Sequence, residues 1–460
     1  MTSYLVAAIA AVAVASFLVA PKVKTADGFF RGFTDDGRTP GLWTLTLSQV
    51  TTWIFARSLM NAAILGYYYG IAGALAYAAY YLSFLTGGLI VDRLRFHHGA
   101  ASVQDFLADH YGAMGRWAYN IVVGVRLLSE VFANLLVIGI IFGAAGTAGY
   151  ILAVIAIAVL TLCYSMMGGL RAALRTDVMQ TIALYIGLAL LLALTLIRPE
   201  FDFAAVAVSS PDPGNPGWVL LAVAFLQIWS YPLHDPVMMD RGFLADRTIT
   251  RKSFLNAAWI SVLGIMIFGV IGVYAGLNKA DGEALVTALT RLLGEPSMVL
   301  FNLALVISAV STLDSTFASA SKLVVADMRL LPPSIRNGRV VMAGFLLGGL
   351  GFLFLGNEDL FAAVAVSGTA SMFLAPVVFF NILGGLRVRP WAFAFSFALA
   401  IVGGAVYMLE AGNHITLIEP LFGLVHKYAK LLLICAFVLA GGCGAFALAA
   451  RGMSRKPAIS

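Results

Sequence analysis

The chain has 460 residues, of which 61% are apolar and only 11% are charged. Soluble globular proteins carry about 25% charged residues, so this chain lacks the charge needed to cover a water-facing surface. Its three cysteines are too few for a disulfide framework, and no long polar tract suggests disorder. The composition predicts an all-α polytopic membrane protein whose net charge of +6 reflects membrane orientation rather than binding to nucleic acid.

Thirteen apolar segments are long enough to cross a bilayer as helices, which takes roughly 20 residues each. Their continuous apolar runs favour helices over the alternating strands of a membrane barrel. Lys22 and Lys24 follow the first segment and no basic residue precedes it, the reverse of a signal peptide, so we interpret it as a retained span. The predicted spans are 3–20, 42–66, 70–91, 117–142, 149–168, 178–197, 217–239, 254–276, 297–321, 340–356, 359–385, 391–410 and 429–450.

Lysine and arginine are distributed unevenly between the connections of this topology. With the N-terminus outside, the cytoplasmic segments hold 22 of the 29 basic residues and the opposite loops hold five. Cytoplasmic loops are enriched in basic residues, so the pattern predicts an outside N-terminus and a cytoplasmic C-terminus. The loops are too short for a catalytic or nucleotide-binding domain, and glycine-rich phosphate-binding motifs are absent, which argues against ATP-driven transport by this chain alone.

The second and seventh spans carry signs of interruption in mid-membrane. The second contains several polar groups, including Gln49, Arg57 and Asn61, which a lipid-facing helix would not tolerate. The seventh contains Pro232 and Pro236, each of which removes a backbone donor and disrupts the helix. An alternative is that the prolines only kink the helix. Because the two spans stand five apart, the pattern predicts two inverted repeats of five helices with a binding site at the breaks.

Hydroxyl side chains recur along the ninth span in the stretch "VISAVSTLDSTFASASKL". Ser308, Ser311, Thr312 and Ser315 follow helical spacings of three and four and therefore share one face. Neutral oxygen donors suit a small alkali cation that must be released again. The alternative is that small residues here let helices pack closely and form hydrogen bonds across their interface.

Four ordered motifs together resemble the sodium:solute symporter family, which includes Na⁺-coupled proline, pantothenate, glucose and iodide carriers. The resemblance runs from about residue 37 to residue 381. The motifs are "ASVQDFLADHYG", "YSMMGGLRAALRTDVMQTIALYIG", "DPVMMDRGFLADRTITRKS" and "AVSTLDSTFASASKLVVADM".

The resemblance implies a LeuT-type core of ten helices, with one span before it and two after it. The implied division has an extra helix and loop at 1–41, the first repeat at 42–200, the second at 201–386 and two C-terminal helices with a short tail at 387–460. It also implies an integral protein of the bacterial cytoplasmic membrane. The oligomeric state stays undetermined.

The resemblance further implies a sodium site between the first and eighth core helices. Carried over by position, its ligands are the hydroxyls of Ser311 and Thr312 and the carbonyls of Ser308, Thr51 and Ile54. Asp177 matches an aspartate that supports a second cation or gating in some members. The alternative for Asp177 is an ion pair with Arg171 or Arg175.

Arg57 and Arg126 place charge within spans, where a charge normally faces a partner or a cavity. Arg126 stands four residues before Glu130, so an intrahelical ion pair is available. Arg57 follows the expected break and is our candidate for binding a substrate carboxylate; alternatively it pairs with Glu130 or Asp235. The remaining candidates for lining the substrate pocket, which serve equally well as packing residues, are Trp53, Gln227, Tyr231, His234 and Asp235.

These features predict a secondary transporter, not an enzyme, that imports a small organic solute by symport with Na⁺ as the coupling ion. No nucleophile–base pair or metal cluster supports catalysis. A proton-coupled carrier that titrates Asp235, His234 or Glu130 is one alternative. A solute-sensing membrane domain without transport is another, disfavoured because only ten residues follow the last span. The predicted partners are the solute, the sodium ion and the lipid bilayer.

Overall fold

The computed structural model describes residues 2–355 and 368–450. Within these ranges the chain is helical and contains no β-strand. Eight of its helical stretches are long and apolar enough to cross a membrane, and three shorter apolar helices accompany them. The all-α membrane architecture predicted from composition is therefore present throughout the described ranges.

The helices are numbered in chain order, and the short 3₁₀ segment Tyr80–Leu82 and π-helical segment Leu323–Asp327 are left out of the numbering. They are α1 (Thr2–Val19), α2 (Ala26–Arg31), α3 (Leu42–Trp53), α4 (Ala56–Ala79), α5 (Ser83–Phe96), α6 (Val103–Phe142), α7 (Ala148–Gly168), α8 (Leu170–Leu196), α9 (Phe203–Ala207), α10 (Pro216–Gln227), α11 (Tyr231–His234), α12 (Pro236–Gly242), α13 (Arg247–Leu277), α14 (Leu285–Leu293), α15 (Glu295–Lys322), α16 (Ile335–Leu355), α17 (Gly368–Leu383), α18 (Pro390–Ala411), α19 (Ile418–Phe422) and α20 (Lys427–Ala450).

Local sequence accounts for several helix boundaries. Ser102 and Asp246 accept backbone N–H groups at the first turns of α6 and α13, which satisfies donors that a helix start leaves open. Gly70 adopts φ +64° and ψ −151° and interrupts α4, a conformation that glycine reaches without a steric penalty. This turn falls at the predicted boundary between the second and third spans.

Two groups of helices pack around the centre of the molecule. In one, α13 lies along α4 and also contacts α3 and α5, while α10 packs on α4. In the other, α15 packs against α6, α7, α8 and α16. Gly272 of α13 faces the carbonyl of Ala63 in α4 so closely that any side chain would collide with it, as expected where small residues let membrane helices approach.

Three expectations about spans and loops need qualification. The second predicted span is divided into two helices, α3 and α4, because the chain leaves the helical conformation at Ile54 and Phe55. Arg241, counted among the cytoplasmic loop charges, is instead fully buried. Parts of the predicted spans 340–356 and 359–385 lie outside the described residues, so the total of thirteen spans and the repeat boundaries stay predictions.

Candidate functional site: two broken helices and a buried polar network

The break between α3 and α4 leaves backbone carbonyls without helical partners. Ile54 has φ −82° and ψ 79°, and Phe55 has φ −67° and ψ 153°, so neither continues the helix. Side-chain hydroxyls replace the missing donors: Tyr81 donates to the carbonyl of Trp53 at 2.8 Å, and Ser308 donates to the carbonyl of Ile54. Neither Pro nor Gly occurs at the break, so contacts from other helices hold it open.

The second break separates α10, α11 and α12 and follows directly from the sequence. Pro232 and Pro236 each stand in the first turn of a short helix, where a missing N–H is tolerated. Asp235 between them is extended, with φ −103° and ψ 101°, and its carboxylate accepts the N–H of Met238 at 2.9 Å. This break confirms the interruption predicted for the seventh span.

The structure brings three of the five predicted sodium ligands together. Ser308 of α15 contacts the Ile54 carbonyl, and the hydroxyl of Thr312 donates to the Ser308 carbonyl at 3.0 Å. All three residues are buried. Thr51 is buried in the last turn of α3, and its hydroxyl has no hydrogen-bond partner among the described residues. The broken α3–α4 segment and α15 therefore share one polar contact in the interior.

Ser311, the fifth predicted ligand, lies in a neighbouring polar network around Asp177. Its hydroxyl donates to one carboxylate oxygen of Asp177 at 2.7 Å. The other carboxylate oxygen accepts from Ser48 at 2.5 Å and from the guanidinium of Arg241 at 3.1 Å. Asp177 thus joins α8 to α3, α12 and α15.

Arg241 is a site residue that sequence reasoning missed. Its guanidinium also donates to Ser48 and Ser315, each at 2.7 Å, and to the carbonyl of Val237 at 3.1 Å. The ion pair considered for Asp177 therefore forms with Arg241, and not with Arg171 or Arg175. Arg241 stands in a basic stretch that resembles an ordinary cytoplasmic loop, and only the fold shows that α12 carries it inward.

An aromatic cluster surrounds Asp235 at the second break. The indole N–H of Trp53 donates to the Asp235 carboxylate at 2.8 Å. The Trp53 ring lies 5.8 Å from that of Tyr231 and 5.5 Å from that of Tyr81. The ring of His234, also buried, lies 6.1 Å from Tyr231. Four predicted pocket residues therefore share one region of the interior.

Gln227 lies at the edge of this region. Its side-chain oxygen accepts from Tyr80 at 2.9 Å, and its amide nitrogen contacts the sulfur of Cys435 in α20 at 3.4 Å. Tyr80 lies 5.8 Å from Tyr231, ring to ring, which connects Gln227 to the aromatic cluster.

Two buried arginines flank the ring of Phe55 directly after the first break. The guanidinium of Arg57 lies 5.6 Å from the ring centre and that of Arg126 lies 5.4 Å from it. Arg126 forms the predicted ion pair with Glu130 at 2.6 Å and lies 3.7 Å from the carboxylate of Asp235. The two acidic groups therefore both neighbour Arg126.

Arg57 is placed differently. It forms no ion pair with any residue in the described ranges, and its Nε and Nη1 atoms are buried without a hydrogen-bond partner there. The alternative that Arg57 pairs with Glu130 or Asp235 is wrong for this structure. A buried guanidinium without an anion is unfavourable, so this position is suited to an anionic ligand.

A cavity of about 450 Å³ lies next to α12, on the side of the molecule that holds the predicted cytoplasmic loops. Tyr119, Asp240, Ser319 and Lys322 contribute to its lining. Lys322 at the end of α15 lies 2.8 Å from Asp240 of α12 and 2.9 Å from Asp327, and Ser319 donates to Asp240 at 2.7 Å. An ionic contact therefore ties α12, the last segment of the second broken helix, to α15.

Comparison with known proteins supports the resemblance drawn from the motifs. Residues 33–203 match the model of the sodium:solute symporter family. The predicted family resemblance is confirmed over this range. No curated protein matches the chain significantly in sequence.

Solved structures match nearly the whole chain. A Na⁺-coupled sialic acid symporter in a substrate-bound, outward-open state has a TM-score of 0.72 and 16% identity, with 100% of this chain and 99% of that one covered. Mhp1, a nucleobase-cation-symport-1 family transporter in a closed conformation, has a TM-score of 0.58 and 14% identity, with 95% of this chain and 97% of that one covered. A mutant manganese transporter of Eremococcus coleocola has a TM-score of 0.51 and 12% identity, with 89% of this chain and 94% of that one covered.

These matches confirm the LeuT-type fold, and the matched family and structures are transporters rather than enzymes. The name of the matched family, sodium:solute symporters, agrees with the predicted coupling ion.

Proposed function

We propose that this protein is a secondary transporter that couples the import of a small organic solute to the inward movement of Na⁺. The observation that carries the proposal is the contact between the broken α3–α4 segment and α15 at Ile54 and Ser308. Carbonyls freed by a helix break, facing hydroxyls from a neighbouring helix, are how this class of fold holds a coupling ion near the membrane centre. The orientation with a cytoplasmic C-terminus, in a bacterial cytoplasmic membrane, belongs to this proposal.

The coupling follows from linkage between the ion and the solute. Sodium held between Ile54, Ser308 and Thr312 would replace the hydrogen bond that now joins α3 to α15. The break that supplies Ile54 continues into the segment carrying Phe55 and Arg57. Sodium bound at Ile54 would therefore also fix the position of Arg57. If sodium raises the affinity for solute by some factor, the solute raises the affinity for sodium by the same factor. Release follows when the two helix groups move apart on the cytoplasmic side.

The solute class we propose is a carboxylate. Arg57 is buried beside Phe55 without an ion pair in the described ranges, whereas Arg126 has both Glu130 and Asp235 as neighbours. A solute carboxylate at Arg57 would supply the missing anion and form charge-assisted hydrogen bonds. The adjoining Trp53 and Tyr231 rings offer apolar surface to the rest of the solute.

The proposal is tested by uptake in proteoliposomes with an imposed inward Na⁺ gradient. Candidate carboxylates, amino acids and sugars are first screened for thermal stabilisation that depends on Na⁺, since a ligand that binds the folded state raises its stability. The double variant Ser311→Ala with Thr312→Ala should lose sodium activation. Unchanged sodium activation in that variant contradicts the ion-site assignment. Uptake driven by a proton gradient without Na⁺ would favour the proton-coupled alternative, and binding without flux would favour the sensor.

A further inference from the structure

A groove of about 630 Å³ runs between α5 and α13 on the outer surface of the helix bundle. Its walls are apolar and come from both helices, with Phe84, Leu85 and Leu89 on one side and Phe254 and Leu255 on the other. The exposed leucines face the region that a bilayer would occupy, since this stretch of both helices belongs to membrane-spanning segments. The groove is therefore continuous with the lipid-facing surface.

One end of the groove is basic. Arg247, Arg251 and Lys252 line it from the first turns of α13, and Asp92 is its one acidic lining residue. Arg247 binds Asp92 through two hydrogen bonds of 2.7 and 2.8 Å, which neutralises both groups. Arg251 and Lys252 are exposed and form no ion pair with any residue in 2–355 or 368–450. Two positive charges are therefore left at the mouth of an apolar groove.

This combination fits an amphiphile with an anionic head. The basic end lies where the distribution of lysine and arginine predicts the cytoplasmic membrane surface, at the level of the lipid headgroups. Arginine and lysine bind phosphate oxygens well, and basic pockets between membrane helices on the cytoplasmic side bind anionic headgroups. A small soluble anion would meet the same charges but would leave the apolar walls unused.

We propose that the groove between α5 and α13 binds an anionic phospholipid, with its phosphodiester at Arg251 and Lys252 and an acyl chain along Leu85, Leu89 and Leu255. The bound lipid joins α5 to α13. Because α13 also packs along α3 and α4, the lipid stabilises the helix group that carries the first break. The lining residues of this site include none of the proposed solute or sodium ligands.

The test measures the melting temperature of the purified full-length protein in neutral detergent with added lipid. Cardiolipin or phosphatidylglycerol should raise the melting temperature, and phosphatidylcholine should not. The double variant Arg251→Gln with Lys252→Gln should lose most of that rise while unfolding normally without lipid. The matched control, Lys24→Gln with Arg336→Gln, removes two exposed charges from the same predicted side, outside the groove, and should keep the rise.

Each result decides the proposal. If the groove variant keeps the full rise, or if the control variant loses as much of it, the effect is one of general surface charge and the proposal is overturned. If water-soluble glycerol phosphate produces the same rise as the lipid, the site binds a free phosphate and the lipid assignment is overturned. None of these measurements requires transport, so failure here is distinct from failure of the proposed symport.

Discussion

The carboxylate of Asp177 and the guanidinium of Arg241 lie 3.1 Å apart, and neither side chain is exposed to solvent. The pair connects α8, which packs on α15, to α12, the last segment of the second broken helix. Hydroxyls of Ser48, Ser311 and Ser315 surround it. The ion pair therefore joins α8 to α12 directly beside the proposed sodium ligands.

Removing Arg241 should destabilise the protein strongly. Arg241→Gln leaves the Asp177 carboxylate buried without its counter-charge, which costs about 3–5 kcal/mol in comparable pairs. The double variant Asp177→Asn with Arg241→Gln should be less destabilised than Arg241→Gln alone, since no isolated charge stays behind. Thermal unfolding in detergent measures both. The control is Arg336→Gln, an exposed arginine; a loss of stability as large as that of Arg241→Gln would contradict the structural role of the pair.

Thr312→Ala should weaken sodium binding more than Ser311→Ala does. The Thr312 hydroxyl donates to the Ser308 carbonyl beside the break at Ile54, whereas Ser311 donates to Asp177. Loss of one oxygen contact to an ion reduces the free energy of ion binding by about 1.5–3 kcal/mol. The Na⁺ concentration that gives half-maximal stabilisation therefore rises by about tenfold or more. A sodium titration of the melting temperature measures this. Ser297→Ala, which removes a hydroxyl at the other end of α15, should leave the titration unaltered, and equal shifts in all three variants would contradict the site.

Arg57→Gln should abolish binding of a carboxylate solute while sodium binding persists. The substitution removes the buried cation beside Phe55 but leaves the oxygens of Ile54, Ser308 and Thr312 in place. The expected result is loss of solute-dependent stabilisation with an unchanged sodium titration. Arg57→Lys keeps the charge but loses the forked geometry, so it should bind the solute with intermediate affinity. Undiminished carboxylate binding by Arg57→Gln would refute the assignment.

The contact between Asp240 and Lys322 should matter more for stability than an exposed ion pair of similar length. Asp240→Asn removes a largely buried partner that also accepts from Ser319, with an expected cost of about 1–3 kcal/mol. Asp109→Asn breaks the exposed 2.8 Å ion pair with Arg387. Exposed ion pairs contribute at most about 1 kcal/mol to the free energy of unfolding, so this substitution should cost no more than that. Comparison of the two melting temperatures tests this order, and a larger loss for Asp109→Asn would reverse it.

The loop between α13 and α14 should resist acid because of Glu283. Hydrogen bonds from Arg291 lower the pKa of the Glu283 carboxyl to about 2, from an ordinary value of 4.5. Because the pKa of Glu283 is lower in the folded loop, the carboxylate stabilises the loop fully at pH values above the ordinary pKa of 4.5. This stabilisation is lost as the pH falls from that value towards about 2. Proteolysis of this loop should therefore change little between pH 7 and pH 5, and Arg291→Gln should make the loop more susceptible to a similar extent throughout this range, because the stabilisation by the pair is fully present there. No difference between the two proteins across this range would contradict the prediction.

The sequence predicted the membrane architecture because a bilayer imposes strong local rules. Apolar runs of sufficient length identified the spans, and Pro232 and Pro236 identified the second break, since each proline acts on its own segment. The spacing of Arg126 and Glu130 on one helix likewise predicted their ion pair. These features depend on neighbours in the sequence, so no knowledge of the fold was needed.

The tertiary structure decided what depends on distant residues. The break at Ile54 has no local cause and is held by Tyr81, Ser308 and Asn134, the last of which accepts the N–H of Ala56 at 3.2 Å. The partner of Asp177 is 64 residues away in the chain, and Arg57 could be recognised as lacking an anion only once Glu130 and Asp235 were placed beside Arg126. Pairing of buried charges depends on which helices meet, and helix contacts between distant segments leave no signal in residue spacing.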